Sequence, residues 1–231
     1  MVKPAQVMVV TAHPDDAEFG AAGNVLRWVG EGRSVVYIVC SSGEKGASNP
    51  NIKPEEMAKI REQEQLAAAR LLGVREVVFL RYPDQELEDT PEFRKDIVRQ
   101  IRKYRPETVV TVDPYRRYIW HRDHRITGQV TLDAIFPYAR DYLAYPDLLE
   151  EGLEPHKVTE VLLWASEDPN YRTNITDIFD IKIAALLCHK SQLGDTLNPK
   201  MKEWLIQRAK ESAKGENFEL AEAFHRVEIP W

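Results

Sequence analysis

The sequence predicts an α/β, Rossmann-like three-layer fold with a mainly parallel sheet and helical C-terminal additions. Two patterns predict it. Short apolar runs rich in β-branched residues recur along the chain, as in strands covered on both faces, and amphipathic stretches of helical length separate them. Strand, helix, strand repeated in that order calls for parallel neighbours joined by crossover helices. In chain order, strands are expected at Val7–Val10, Val35–Cys40, Val77–Leu80, Thr108–Val112 and Val161–Trp164. Helices are expected over Ala17–Val29, Pro54–Leu72, Pro91–Tyr104 and roughly Thr127–Arg140, with two more at Thr176–Gln192 and Pro199–Lys214. Pro54 and Pro91 each open a run of good helix formers, where the missing proline N–H costs nothing, and Gly73 stands where a C-terminal cap belongs. No internal repeat, low-complexity tract or long linker interrupts the pattern, so residues 1–231 are expected to form a single domain.

Composition excludes several function classes. The net charge of −6 argues against a nucleic-acid partner, which needs a basic surface to meet phosphates. The apolar run in MVKPAQVMVV is too short for a signal peptide, and no segment approaches the length that spans a bilayer, so a cytoplasmic location is expected. Cys40 and Cys188 both lie in apolar segments, which suits buried thiols in a reducing compartment better than a disulfide. Trp204, Phe218, Phe224 and Trp231 crowd the C-terminal region, where they can cover the sheet or support a homo-oligomer.

Ligands of open α/β sheets gather beyond the carboxyl ends of the strands. Four polar loops, AHPDDAE, SSGEKG, RYPDQE and DPYRRYIWHRDH, each follow an expected strand and so share that rim. A dinucleotide site would show GxGxxG after the first strand, where this chain has HPDDAEFGAAG, and two carboxylates there would repel a pyrophosphate. There is no GxxxxGK[ST] loop and no GxSxG elbow. Imidazole and carboxylate together suit a divalent ion such as zinc, held by three protein ligands. His13 and Asp16 can supply two from one turn, with Asp15 turned to a water, and HRDH, His121 to His124, can supply a third from another strand end. The competing readings are a helix N-terminal cap for Asp15 or Asp16, and an exposed loop with incidental charge pairing for HRDH.

AHPDDAE followed about a hundred residues later by HRDH resembles the PIG-L or LmbE-like family of zinc-dependent N-acetylglucosaminyl deacetylases, and SSGEKG, REQEQLAAARLLG, FLRYPDQEL and KIAALLCHKSQL resemble its landmarks in order. The resemblance implies His13, Asp16 and His124 as ligands of Zn2+, or of another divalent metal such as Fe2+. It implies Asp15 as general base, His121 as oxyanion stabiliser or proton donor, and Asp123 as the group orienting a neighbouring histidine. Glu44, Arg61 and Asp84 resemble positions that contact sugar hydroxyls, and Tyr118 and Trp120 are candidates to stack on a sugar ring. The implied substrate is a small N-acetylglucosamine-containing molecule that loses its acetyl group by amide hydrolysis. Read from the residues alone, Arg61 can instead pair with Glu64, Glu44 can be a loop charge, and Asp84 a turn residue. Two departures affect substrate more than metal: Arg122 stands where the family commonly has proline, and Tyr115 to Trp120 replaces a glycine-rich segment. His189 in CHKSQ reads as a hydrogen-bonded structural histidine. Glu18 is expected either to cap the first helix or to support the ligand turn.

Overall fold

The computed structural model describes residues 3–47, 49–118 and 120–229. Seven strands form one sheet: β1 Val7–Thr11, β2 Val35–Ser41, β3 Glu76–Tyr82, β4 Thr108–Val112, β5 Glu160–Trp164, β6 Tyr171–Asn174 and β7 Ala221–Glu228. Their order is β3-β2-β1-β4-β5-β7-β6, with the first five parallel and β7 antiparallel to both β5 and β6. The order turns around between β1 and β4, so the loops leaving those two strands diverge and open a crevice.

Alternation along the strands explains the two cores. Val7 and Val9 face one layer with Ala17, Ala21, Val25 and Leu72, whereas Met8 and Val10 face the other with Phe93, Ile97, Ile101 and Val130. The first layer carries helices α1 Asp16–Gly30 and α2 Pro54–Leu72; the second carries α3 Pro91–Tyr104 and α4 Arg122–Asp133. Local signals set the bounds of α2 and α3. Proline occupies the first turn of each, Gly73 closes α2 at φ 76°, and the Thr90 hydroxyl accepts from Phe93 N at 3.1 Å to start α3.

Three expectations are corrected. The helix expected over Thr127–Arg140 starts five residues earlier and ends at Asp133, because Pro137 cannot continue the ladder and the preceding Phe136 is extended at φ −142°, ψ 121°. A short helix α5, Asp147–Glu150, precedes β5, and the helix expected over Thr176–Gln192 is broken into a short 3-10 turn, α6 Phe179–Leu186 and α7 Lys190–Leu193, with His189 at the junction between α6 and α7. β6 and β7 escape a search for apolar runs because YRTN and AEAFHRVE carry polar residues toward the sheet edge. The helix α8, Pro199–Ser212, packs Leu205 and Ala209 against Ile175 and Phe179.

β7 locks the first helix. Glu222 accepts from Gly23 N, Asn24 N and Asn24 Nδ2 of α1, each at 2.8 Å, and from Lys182 Nζ at 2.6 Å. Lys182 Nζ also donates to Phe19 O at 2.9 Å. Removing one partner of such a buried ion pair strands the other charge, so Glu222→Ala should destabilise the fold by about 3–5 kcal/mol. Urea unfolding reads this directly; a loss under about 1 kcal/mol would show the pair to be dispensable.

Both cysteines are free thiols, Cys40 buried and Cys188 half-buried. Of the C-terminal aromatics, Phe224 is buried in the sheet core, Phe218 is half-buried and Trp204 is exposed, while Trp231 lies outside the described residues. No helix among the described residues is long and apolar enough to cross a membrane.

Candidate metal and catalytic centre

The turn after β1 and the start of α4 meet at the crevice. Asp15 ends the turn in the left-handed region at φ 101°, a conformation that costs a non-glycine residue about 1–3 kcal/mol and persists only when its surroundings impose it. Neither aspartate caps the helix as the competing reading required. The Asp15 side chain makes no cap bond to α1, and Asp16 Oδ2 accepts from His13 N, which precedes the helix, at 2.8 Å.

His13 Nδ1 lies 3.3 Å from His124 Nε2 and 3.5 Å from Asp16 Oδ2, and His124 Nε2 lies 3.1 Å from Asp16 Oδ1. Four ligands at 2.0–2.1 Å around a tetrahedral ion are separated by about 3.3–3.4 Å, so these separations fit one face of such a shell. The donor chemistry fits as well. His13 Nε2 faces Asp84 Oδ1 at 3.1 Å and Asp123 Oδ2 at 3.3 Å, which keeps the ring proton on Nε2 and leaves the Nδ1 lone pair for a cation. Asp123 and Asp84 thus both face the His13 ring, and Gln85 N donates to Asp123 Oδ2 at 2.7 Å. Asp113, which follows β4 on its side of the crevice, accepts from Tyr115 N in its own turn. Two wider groups, His13 with His121 and His124, and His13 with Asp84 and Asp123, also bring ligand-type atoms within 4.8 Å of one another.

The field at the centre is negative. Burial disfavours a charged His13, but hydrogen bonds to Asp123, Asp16 and Asp84 outweigh it and hold the ring well above the ordinary histidine range. Burial likewise opposes the charge on Asp16, yet His124 and His13 keep it well below the usual carboxylate range. A site that attracts a proton this strongly also attracts a cation. Asp15 behaves differently: burial and the neighbouring Asp16 charge push it up to about 7, against the pull of Arg61, His189 and His13.

Each flanking residue has a definite place. His121 is exposed at the start of α4, where its Nδ1 accepts from Asp123 N at 3.1 Å, so the neutral ring carries its proton on Nε2. Burial and the nearby His13 and His124 lower its pKa, which favours the neutral ring. Arg61 is buried and donates to Gly43 O at 2.9 Å, to Pro14 O, and to Asp15 Oδ2 at 3.1 Å. Gly43 permits this approach, since a Cβ there would lie 2.5 Å from Arg61 Nη1. The expected Glu64 partner is engaged elsewhere, accepting from Ser191 N and Oγ at 2.6 Å.

Glu44, Arg61 and Asp84, expected to contact a sugar, each bond to groups of the protein itself. Asp84 is 3% exposed, with one oxygen on His13 and the other accepting from Lys45 N, while Glu44 Oε1 accepts from Asp84 N at 2.9 Å. Asp84 and Glu44 Oε1 build the frame behind the histidine, whereas Arg61 reaches Asp15, because charge in a sequence does not disclose direction. Tyr118 is 91% exposed, at φ 61°. Trp120 stands edge-on to His124 with centroids 5.0 Å apart, under the guanidinium of Arg116.

Glu18 is fully buried and supports the ligand turn rather than capping the helix. It accepts from Gln65 Nε2 at 3.0 and 3.1 Å and pairs with His189 Nε2 at 3.1 Å. The hydrogen-bonded structural role expected of His189 is the one seen. Gln65 escaped the sequence reading, although a signal was present: Met57, Arg61, Gln65, Ala68 and Leu72 share the buried stripe of α2, and two polar residues in an apolar stripe mark a polar interior partner.

The mostly parallel sheet flanked by helices is the fold of LmbE-like deacetylases. Residues 8–135 match the family described as PIG-L: GlcNAc-PI de-N-acetylase, and the chain belongs to that family. It is 34% identical over 190 residues to a diacetylchitobiose deacetylase of Thermococcus kodakarensis, covering 82% of this chain and 71% of that protein. It is 27% identical to a mycothiol S-conjugate amidase of Streptomyces coelicolor, over 100% of this chain and 96% of the other. Among solved structures, an N,N'-diacetylchitobiose deacetylase from Pyrococcus horikoshii, complexed with its inhibitor MPG, superimposes with a TM-score of 0.93 at 30% identity, covering 97% of this chain and 84% of that one.

Proposed function

We propose that this protein is a metal-dependent N-deacetylase that removes the acetyl group from a small N-acetylglucosamine-containing substrate, releasing acetate and the free amine. The observation that carries the reading is the convergence of His13 Nδ1, His124 Nε2 and Asp16 at 3.1–3.5 Å beside a carboxylate, Asp15, raised to about 7. His13, Asp16 and His124 would hold the ion, zinc or another divalent metal such as Fe2+. When bound, it supplies a Lewis acid that acidifies water and polarises an amide carbonyl.

The chain's own groups complete the reaction. Arg61 occupies Asp15 Oδ2, leaving Oδ1 to take the proton of the attacking water. A base whose pKa lies near neutrality both accepts and returns a proton readily, so Asp15 then protonates the departing nitrogen. The Nε2–H of His121 donates to the oxygen that gains charge as the carbonyl becomes tetrahedral. Tyr118 offers an exposed aromatic face on the loop between β4 and α4 for a sugar ring. Asp84, Asp123 and Glu44 keep His13 in register through the cycle.

The amidase relative favours a second reading, the same chemistry on a different acylated amine. Acetate release from N-acetylglucosamine, N,N'-diacetylchitobiose and N-acetylglucosaminides, set beside acylated amino acids, separates the two. The first reading expects turnover confined to the amino sugars. Turnover of sugar-free amides at equal kcat/KM would replace it with the second, and no turnover with any divalent ion would leave a binding module.

A further inference from the structure

We propose that Gln65 is the positioning residue for Asp15, and that it works by converting the fixed charge of Glu18 into an acceptor aimed at the Asp15 backbone. The inference rests on the reading of Asp15 as general base. Asp15 N donates to Gln65 Oε1 at 3.0 Å, and Gln65 Nε2 donates to both oxygens of Glu18 at 3.0 and 3.1 Å. Glu18 is anchored at its far side by His189 Nε2 at 3.1 Å. Gln65, Glu18 and His189 are all fully buried, so no water competes for these bonds.

The order of donors and acceptors in this chain has one solution. A backbone N–H at one end needs an acceptor, and a carboxylate at the other needs a donor, so the residue between them must present both on one planar group. A buried amide with both ends committed cannot flip, and its oxygen stays on the Asp15 N–H. That bond holds the peptide plane of a residue whose φ of 101° is otherwise unfavourable. Arg61 acts on the same residue from the other side, through Pro14 O and Asp15 Oδ2. Together they fix where the carboxylate points: Gln65 sets the backbone and Arg61 sets the side chain. No atom of Gln65 bonds to the proposed ligands His13, Asp16 or His124 among the described residues, so its loss should spare metal binding.

The test exchanges donor and acceptor without changing shape. Gln65→Glu sets two carboxylates against each other, whereas Glu18→Gln with Gln65→Glu restores the order of donors and acceptors: Asp15 N donates to the carboxylate at position 65, the amide at position 18 donates to that carboxylate, and His189 donates to the amide oxygen. On zinc-loaded protein with N,N'-diacetylchitobiose, Gln65→Glu should lower kcat about 10–100-fold, the scale of a small misplacement of a reacting group, with KM within about threefold and zinc stoichiometry unchanged. The double variant should return to within about threefold of the parent kcat, which a role in packing alone does not predict. As a readout free of activity, Gln65→Leu should make the Asp15 amide exchange with solvent at least about tenfold faster. Parent-like kcat in Gln65→Glu, a double variant no better than the worse single, or unchanged Asp15 exchange overturns the proposal. Asp15→Asn, assayed alongside, separates its failure from that of the general-base reading: an active Asp15→Asn overturns that reading, whereas an inactive one beside a fully active Gln65→Glu overturns only the role of Gln65.

Discussion

Asp15→Asn is expected to lower kcat by about 10²–10⁴-fold while zinc still binds in full, because the amide can neither take a proton from water nor hand one to an amine. KM should change little, since Asp15 is not among the proposed metal ligands and its bond to Arg61 needs only an oxygen. The same variant makes a prediction about stability with the opposite sign. Burial and the Asp16 charge raise the Asp15 carboxyl from 3.8 to about 7, so the folded protein holds this proton more tightly than the unfolded chain does. That contribution to stability is fully present below about pH 4 and is lost as pH rises through about 7. Asparagine has no proton to lose. Metal-free Asp15→Asn should therefore be the more stable protein at pH 8, and the difference should vanish near pH 4. Denaturant midpoints at the two pH values, with zinc stoichiometry and kcat on the loaded protein, decide both halves. Full activity with an intact metal site would remove Asp15 from the chemistry, and equal midpoints at pH 8 would remove the buried-charge argument.

His13→Ala is expected to abolish metal binding and, with it, activity. The substitution removes the imidazole that faces Asp16 and His124 through Nδ1 and Asp84 and Asp123 through Nε2, so the two halves of the centre lose their common member. An electrophile of this type supplies several kcal/mol of stabilisation to the reacting state, and its loss should cost kcat/KM about 10³-fold or more. Dialysis of the parent against a chelator should reproduce the loss, and stoichiometric Zn2+ should reverse it in the parent but not in His13→Ala. Zinc content measured on the folded fraction guards against the instability of leaving Asp84 and Asp123 unpaired. Undiminished turnover in metal-free parent would end the proposal at once.

Local chemistry made much of this legible. α2, α3 and β4 run between the residues expected of them, because proline, a left-handed cap or a β-branched run signals each boundary within a few residues. His13, Asp15, Asp16, His121, Asp123 and His124 were legible as one cluster for a topological reason: loops after successive parallel strands share a rim. What remained hidden depends on partners distant in sequence. β6 and β7 become strands by pairing rather than by their own apolar pattern, and α6 and α7 part at His189, which turns inward to meet Glu18. Glu44, Arg61 and Asp84 were recognised as residues of the site, but their orientation toward the protein interior follows from contacts with Gly43, His13 and Lys45. The start of α4 at Arg122 was concealed because its cap is a histidine ring rather than a hydroxyl or carboxylate.

The supports of the first helix set an order in time. Asn24 and Glu222, which bond directly, are 198 residues apart, and Glu18 and His189 are 171 apart. At 5–20 residues per second a ribosome needs roughly 10–40 s to cover the longer interval. For most of it the histidine and carboxylates of AHPDDAE are already made, yet neither β7 nor His189 has joined α1 to hold them. Contacts of such wide separation are also the slowest to form once the chain is released. The segment that carries the proposed ligands is made long before the contacts that fix it.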